Sequence, residues 1–257
     1  MIKSRAIVLH RFPYSDSSWI VKALTEETGI ESFILKGAKR KESPFRGALD
    51  PLSLSEVVFR QNPQKADGNG LQFVKEATLV SWRGNLRNNL MSQAIAQVMT
   101  EIIMRYAPQG VPLQDEFNLL NNALEELDTP TADGEPLPDI FARFLLDISD
   151  LWGYHLDLGT CSRCERELTE PAGDFHPETM GLVCKGCLGC DTPRAKPQTL
   201  AGLWMLHHRQ GAALTDQRQF VENALLAYLR NHMGFLKELN SLQWLQEIRK
   251  LCSPQMT

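Results

Sequence analysis

Four cysteines stand in two short pairs, Cys161-Ser-Arg-Cys164 and Cys184-Lys-Gly-Cys187, with nineteen residues between the pairs. A Cys-x-x-Cys pair on one tight turn presents two thiolates to the same side. Two such turns let four sulfurs converge tetrahedrally on Zn²⁺ at about 2.3 Å. The intervening segment contains Gly173, Pro177 and Gly181 and can form the hairpin that brings the turns together. Four thiolates leave no open coordination position for water or substrate, so the zinc this spacing predicts is structural. Cys190 makes a further Cys-x-x-Cys with Cys187 and reads as a spectator, the alternative being that it replaces Cys184. His155 and His176 are near enough in sequence to substitute as ligands, but with four cysteines present they read as surface or hydrogen-bonding residues. Cys252 reads as a buried apolar thiol, and His207 and His208 have no partners at ligand spacing.

A second concentration of chemistry is Lys36-Gly-Ala-Lys39-Arg40-Lys41, four cations in six residues, directly after the apolar run Phe33-Ile34-Leu35. The chain as a whole has net charge −4, so this positive charge is a local feature. A strand ending in a glycine-containing cationic loop suits a polyanion such as a nucleic-acid backbone, where affinity comes from charge neutralisation and counterion release. The plain alternative is a solvated loop that aids solubility. Residues 1–80 have a local net of +3 and the remainder −7, which points to a basic face on the N-terminal part.

Catalysis has no visible carrier. His176-Pro-Glu178 followed by Cys184-x-x-Cys187 looks superficially like a zinc deaminase signature. The second cysteine pair lacks its preceding proline, however, and only five residues separate Glu178 from Cys184. There is no phosphate-cradling Gly-x-x-x-x-Gly-Lys-Ser/Thr, no Gly-x-Ser-x-Gly and no His-Glu-x-x-His. The acidic residues read mostly as solvated groups on helix faces and loops.

These groups must be held by a scaffold that the rest of the sequence describes. With 43% hydrophobic and 23% charged residues, the composition is that of an ordinary globular protein large enough for a sizeable core. No apolar stretch approaches the ~20 residues needed to span a bilayer. The N-terminal run Ala6-Ile-Val-Leu9 is too short for a signal peptide, so the cytosol is expected, with reduced or metal-bound cysteines.

Five apolar or β-branched runs, Arg5–Arg11, Trp19–Thr25, Ile30–Leu35, Leu52–Arg60 and Leu71–Val80, are separated by turn signals. Five strands in about 80 residues fit a small barrel. An OB-type barrel matches best; an SH3-like barrel is the competitor that strand count alone does not separate. After Trp82 the apolar period lengthens to that of a helix. Leu86, Leu90, Ala94, Val98, Ile102 and Tyr106 predict one long helix, Asp115–Leu127 a second, and Ile140 to Trp152 a third, stopped by Gly153. The stretch 128–138 reads as a loop. Beyond the cysteine module, apolar faces at Phe220–Leu229 and Leu242–Leu251 predict further helices. The expected class is α+β multidomain: an OB-fold over 1–80, then a helical domain over 81–257 with a zinc module inserted at about 159–190.

The chain resembles the RecO family of bacterial recombination mediators. The resemblance rests on Arg5-Ala-Ile-Val-Leu9, Leu24-Thr-Glu-Glu-Thr-Gly29, Lys36-Gly-Ala-Lys-Arg40 and Phe45-Arg-Gly-Ala-Leu-Asp-Pro51. It continues through Leu146 and Trp152-Gly-Tyr154 into Cys161-x-x-Cys164 and Gly181-Leu-Val-Cys184. These elements follow the family's order over most of the chain; the C-terminal helices match in general character only. Two departures stand out. The family often has a glycine after the first cysteine pair, where this chain has Glu165, and Ser15-Asp-Ser-Ser18 replaces a Gly-Glu pair.

The resemblance implies an OB-fold that binds single- and double-stranded DNA, a helical remainder and, in members with the cysteines, a zinc module. It also implies strand annealing and action in the RecF pathway of repair. There the family works with RecR, and with RecF, to load RecA on strands coated by SSB, whose acidic C-terminal tail it contacts. On this reading Lys36, Lys39, Arg40, Lys41 and Arg46 contact phosphates, with Arg11 a weaker candidate. The metal ligands are Cys161, Cys164, Cys184 and Cys187. Phe12, Tyr14, Trp19 and Phe45 are candidate stacking platforms, Trp19 and Phe45 reading first as core. The competing function is a protein-interaction scaffold whose basic loop binds acidic peptides rather than DNA; a zinc hydrolase ranks last. A cytoplasmic, nucleoid-associated location follows from the mediator reading.

Overall fold

In a computed structural model of the 257-residue chain, the residues described are 1–43, 45, 47–60, 70–131, 134–176, 181–210, 213–214, 216–233 and 239–252. The chain divides into two compact units, residues 1–134 with 239–257, and residues 135–238.

The first unit begins with a closed five-stranded barrel: β1 (Ile2–Pro13), β2 (Trp19–Thr25), β3 (Gly29–Leu35), β4 (Leu54–Arg60) and β5 (Gln72–Ser81). β1 pairs antiparallel with both β2 and β4, and β5 pairs antiparallel with β4. A short parallel pairing of β3 with β5, Phe33↔Gln72 and Ile34↔Phe73, closes the ring. This order, 1-2-3-5-4, is that of the five-stranded Greek-key OB barrel. Alternate residues face inward, so Ala6, Val8, Val21, Ala23, Phe33, Leu35, Val57 and Phe59 fill the interior. The rings of Phe33 and Phe59 meet edge to face at 5.1 Å. β1 also holds one extra residue against β2 between Val8 and His10, a bulge that sequence alone did not reveal.

The same unit continues with α1 (Gly84–Asn88), α2 (Leu90–Tyr106) and α3 (Gln114–Asp128). The single long helix expected from Leu86 onward is in fact two. Asn89 adopts extended backbone (φ −111°, ψ 118°) and its side chain accepts a hydrogen bond from the Ser92 amide, which starts α2 afresh. An asparagine in this role satisfies an amide that the first turn leaves without a partner. Leu90, expected to face inward, is consequently 47% exposed. The C-terminal helix α8 (Asn240–Cys252) packs on α2 within this unit. Glu101 of α2 accepts hydrogen bonds from the Asn240 and Ser241 amides, capping α8 from outside.

The second unit comprises α4 (Ile140–Leu151), the hairpin β6 (Asp174–His176) and β7 (Gly181–Val183), the single turn α5 (Lys185–Leu188), α6 (Pro197–His207) and α7 (Arg218–Met233). Gly153 ends α4 at φ +81°, as expected from the sequence. α6 was not expected. Its signals are Pro197 at the first helical position and buried Leu200 and Leu203. The expected division after residue 80 marks the end of the barrel, whereas the compact first unit also takes in α1–α3 and α8. Among the described residues no helix is long and apolar enough to cross a membrane.

Candidate nucleic-acid interface and metal centre

The cysteine module is built by backbone pairing. The Cys161 amide donates to the Arg166 carbonyl at 2.9 Å and the Glu165 amide to the Cys161 carbonyl at 2.8 Å, which winds the first knuckle. Ser162 is tied to the Leu182 carbonyl by both its amide (2.8 Å) and its hydroxyl (3.1 Å), so this knuckle lies against β7. The second knuckle forms where Cys184 caps α5, its sulfur accepting from the Cys187 amide at 3.3 Å. All four sulfurs of Cys161, Cys164, Cys184 and Cys187 lie within 4.8 Å of one another. The Cys164 and Cys184 sulfurs are 3.9 Å apart. A tetrahedron with 2.3 Å metal–sulfur bonds has edges of about 3.8 Å. The four cysteines therefore can hold a metal ion.

Their protonation fits that role. Burial works against the Cys161 thiolate, but the amides of Cys184, Cys164 and Arg163 outweigh it and bring the thiol down to about 6. Cys187, hydrogen-bonded with Cys164 and then Cys184 and also desolvated, is pushed up to about 12. Four such acids cannot all ionise side by side unless a cation compensates them. Among the described residues no other His, Cys, Asp or Glu group forms a comparable cluster. Cys190 is exposed and outside the set. His155 pairs with Asp150 at 2.8 Å, and His176 with buried Asp174 at 2.8 Å. His207 and His208 contact each other and Trp204 rather than a ligand set. The expected Cys252 burial lies outside the described side chains.

At the barrel, the cationic turn after β3 is open to solvent: Lys36, Lys39, Arg40 and Lys41 are all exposed. Arg46 lies outside the described residues. Lys36, Arg40 and Lys41 rim a shallow concavity of about 380 Å³ that also includes Glu42 and Ser43. The Arg40 guanidinium has no partner among the described residues, and Lys36 stands 5.2 Å over the exposed ring of Phe73. Lys39 is arranged differently. Its amide donates to the Ser17 carbonyl at 3.1 Å and its ammonium to the Ser15 carbonyl at 2.6 Å, tying the turn to the β1–β2 loop. The ammonium also lies 4.7 Å from the centre of the Trp19 ring. Arg11 stacks on the same ring at 4.5 Å and pairs with Asp50. Trp19 and Phe45 are half-buried and packed against the barrel core, in keeping with their reading as core, whereas Phe12 and Tyr14 are exposed.

Several acids read from sequence as solvated are buried instead. Asp174 is 1% exposed and accepts from the amides of Phe175, Arg194 and Ala195. Burial would raise its pKa, yet those amides and His176 hold it below the usual carboxylate range. Glu101 and Glu222 are likewise buried. Only their tertiary partners distinguish such residues from surface acids.

An OB-type barrel with an exposed cationic turn after β3, followed by a helical region with four clustered cysteines able to hold a metal ion, defines the class of protein. The family described as Recombination protein O N terminal matches residues 1–83, and that described as Recombination protein O C terminal matches residues 87–250. A protein of Geobacter metallireducens named DNA repair protein RecO is 30% identical over 250 residues, covering 96% of this chain and 97% of its own length. Proteins of the same name from Anaeromyxobacter sp. (strain K) and Dehalococcoides mccartyi (strain 195) are 29% and 25% identical, over 97% and 96% of this chain and 98% and 96% of their own lengths. The chain belongs to the RecO family of DNA repair proteins.

Proposed function

We propose that this protein is a DNA-binding recombination mediator that works without turnover chemistry. It grips phosphates with the turn after β3 and leaves base edges free for pairing. Backbone contacts fix position without reading sequence, so one cationic surface serves single and double strands and permits annealing of complementary strands. Lys36, Arg40 and Lys41, with Arg46, are the phosphate contacts. Lys39 acts mainly by holding the turn against the β1–β2 loop, and Arg11, already paired with Asp50, contributes least. Cys161, Cys164, Cys184 and Cys187 hold a structural Zn²⁺ that braces the hairpin module. In the RecF pathway the protein acts in the cytoplasm, on the nucleoid, with RecR and with RecF, in loading RecA on strands coated by SSB, whose acidic tail it contacts.

The observation that carries this reading is the solvent-exposed Lys36–Lys41 turn on an otherwise acidic chain. Binding of the full chain to a labelled single strand, titrated at several salt concentrations, tests it. Lys36→Ala/Arg40→Ala should weaken binding and reduce the slope of log K against log salt by about 1.4, from ~0.7 per phosphate contact. Unchanged affinity and slope would assign the turn to something other than DNA, and preserved binding of an acidic peptide would not rescue the reading.

A further inference from the structure

The extra residue in β1 reverses the alternation of side chains along the strand. Pairing with β2 passes from Val8↔Ala23 to His10↔Lys22, leaving Leu9 without a partner there. Such a bulge shifts every later side chain to the opposite face. Before it, Ala6 and Val8 fill the barrel. After it, Arg11 joins Trp19, Leu35 and Leu49 around a cavity of about 210 Å³ beside the cationic turn. His10 and Phe12 turn outward instead. There they line a groove of about 610 Å³ with residues of α2 and α8, all within the first unit. That volume lies in the range of small-ligand sites.

The groove's lining has a definite chemistry. The His10 and Phe12 rings lie 4.2 Å apart and Phe12 is 41% exposed, an aromatic surface left open to water. Trp244 adds a half-buried indole. The side-chain amide of Gln97 is exposed and has no hydrogen-bond partner among the described residues. Arg87 donates to the carbonyls of Trp82 and Pro51 and lies over the Trp82 ring, with Asp50 and Asp128 acting on it through space rather than as direct ion pairs. The one acid in the groove, Glu101, is engaged by the first turn of α8 and by Arg105. Stacking rings, an amide with no partner among the described residues and a guanidinium bonded only to carbonyls together match a nucleobase attached to its phosphate.

We propose that this groove binds an unstacked base of the same single strand whose phosphates the turn holds. The base stacks on Phe12 and His10, its edge meets Gln97, and its phosphate faces Arg87. The inference rests on the DNA-binding reading and extends it: a strand leaving the cationic turn has only to cross the outer end of β1 to reach the groove. Both edges of that crossing are set by one bulge.

The test uses the full chain and two fluorescent oligonucleotides of equal length, an oligo-dT and its abasic counterpart. The unmodified protein should prefer the dT strand. Phe12→Ala should lower the dT-to-abasic affinity ratio by at least roughly 5-fold, the lower end of one stacked base, with the salt slope retained. Lys36→Ala/Arg40→Ala should weaken both complexes alike and preserve the ratio. A 2-aminopurine strand provides an independent readout: its fluorescence should be quenched on binding the unmodified protein and recover in Phe12→Ala. An unaltered ratio and unaltered quenching in a folded Phe12→Ala protein would overturn the groove. So would loss of acidic-peptide binding with dT binding intact. If the loop variant alone fails to change either complex, the phosphate-turn reading fails while the groove survives on its ratio.

Discussion

Glu165 occupies left-handed backbone, φ +59°, immediately after the first cysteine pair. That conformation costs a side-chain-bearing residue roughly 1–2 kcal/mol, and glycine adopts it freely. The departure from the family's frequent glycine therefore falls at a position whose geometry favours glycine. Glu165→Gly should stabilise the protein by about 0.5–1 kcal/mol, the strain relieved exceeding the added freedom of the unfolded chain. A small rise in the melting temperature of the full chain would register it. Gly29 makes the opposite case. It turns between β2 and β3 at φ +77°, and a Cβ there would collide with the Val111 carbonyl oxygen. Gly29→Ala should cost about 2–4 kcal/mol, seen as an early thermal transition. Arg83 shows a third way in which one residue ties elements together. It is buried at φ +54° and donates to the Leu52 carbonyl (2.6 Å) and the Asn121 side chain (2.7 Å), joining the barrel to α3. Burial lowers its pKa to about 10, so it remains charged at neutral pH.

The β6–β7 hairpin has two strands of three residues each, too little pairing to persist alone. It is tied to the first knuckle through Ser162 and Leu182 and to residues 194–195 through Asp174, with the cluster of sulfurs joining the two knuckles. Metal removal should therefore melt this module, because a structural site supplies folding energy directly. Chelation, or Cys164→Ser, should abolish stoichiometric zinc and expose residues 159–190 to hydrogen exchange, with the barrel strands still protected. Loading should also release protons. The Cys187 thiol is pushed up and must give up its proton to bind a metal, so affinity must fall as pH falls. Acidification of a weakly buffered solution during zinc titration measures this release. Asp174 adds a second, more acidic pH dependence to the same module. Its folded pKa lies below the unfolded one, so its contribution is present above about pH 4 and is lost as pH falls through the folded value.

Charge across the molecule is segregated. The chain carries −4 overall, yet its first eighty residues carry +3 and display four of their twelve cations on one exposed turn. The first unit also depends on both ends of the chain. α8 returns from the C-terminus to pack on α2, with Leu242, Leu245 and Ile248 buried and Glu101 capping its first turn. Removing residues 239–257 should leave Glu101 buried without its amide partners and uncover the apolar face of α2. We expect a lowered melting temperature and aggregation, read by differential scanning fluorimetry and light scattering, rather than a selective loss of DNA affinity. Salt titration separates these effects, since a folding defect does not change the slope per bound molecule.

Local sequence determined a good deal. Period-two patterning placed all five barrel strands to within a few residues, Trp19–Thr25 to the residue, because each strand has one face committed to the same interior. The cysteine spacing was legible for a similar reason: two ligands on each short turn leave few alternatives. Helix starts were legible only where a cap competed weakly with the apolar period, and Asn89 broke that period with a single side-chain hydrogen bond. What only the tertiary structure decided was direction and partnership. The bulge at Leu9 sends Arg11 to one side and Phe12 to the other, and no local preference encodes that reversal, since it arises from how β1 must match β2. Likewise Lys39 and Arg40 are adjacent cations of the same loop, but one is bound to the Ser15 carbonyl and a tryptophan face while the other has no side-chain partner among the described residues. Charge is a property of a residue, whereas its availability is set by distant neighbours.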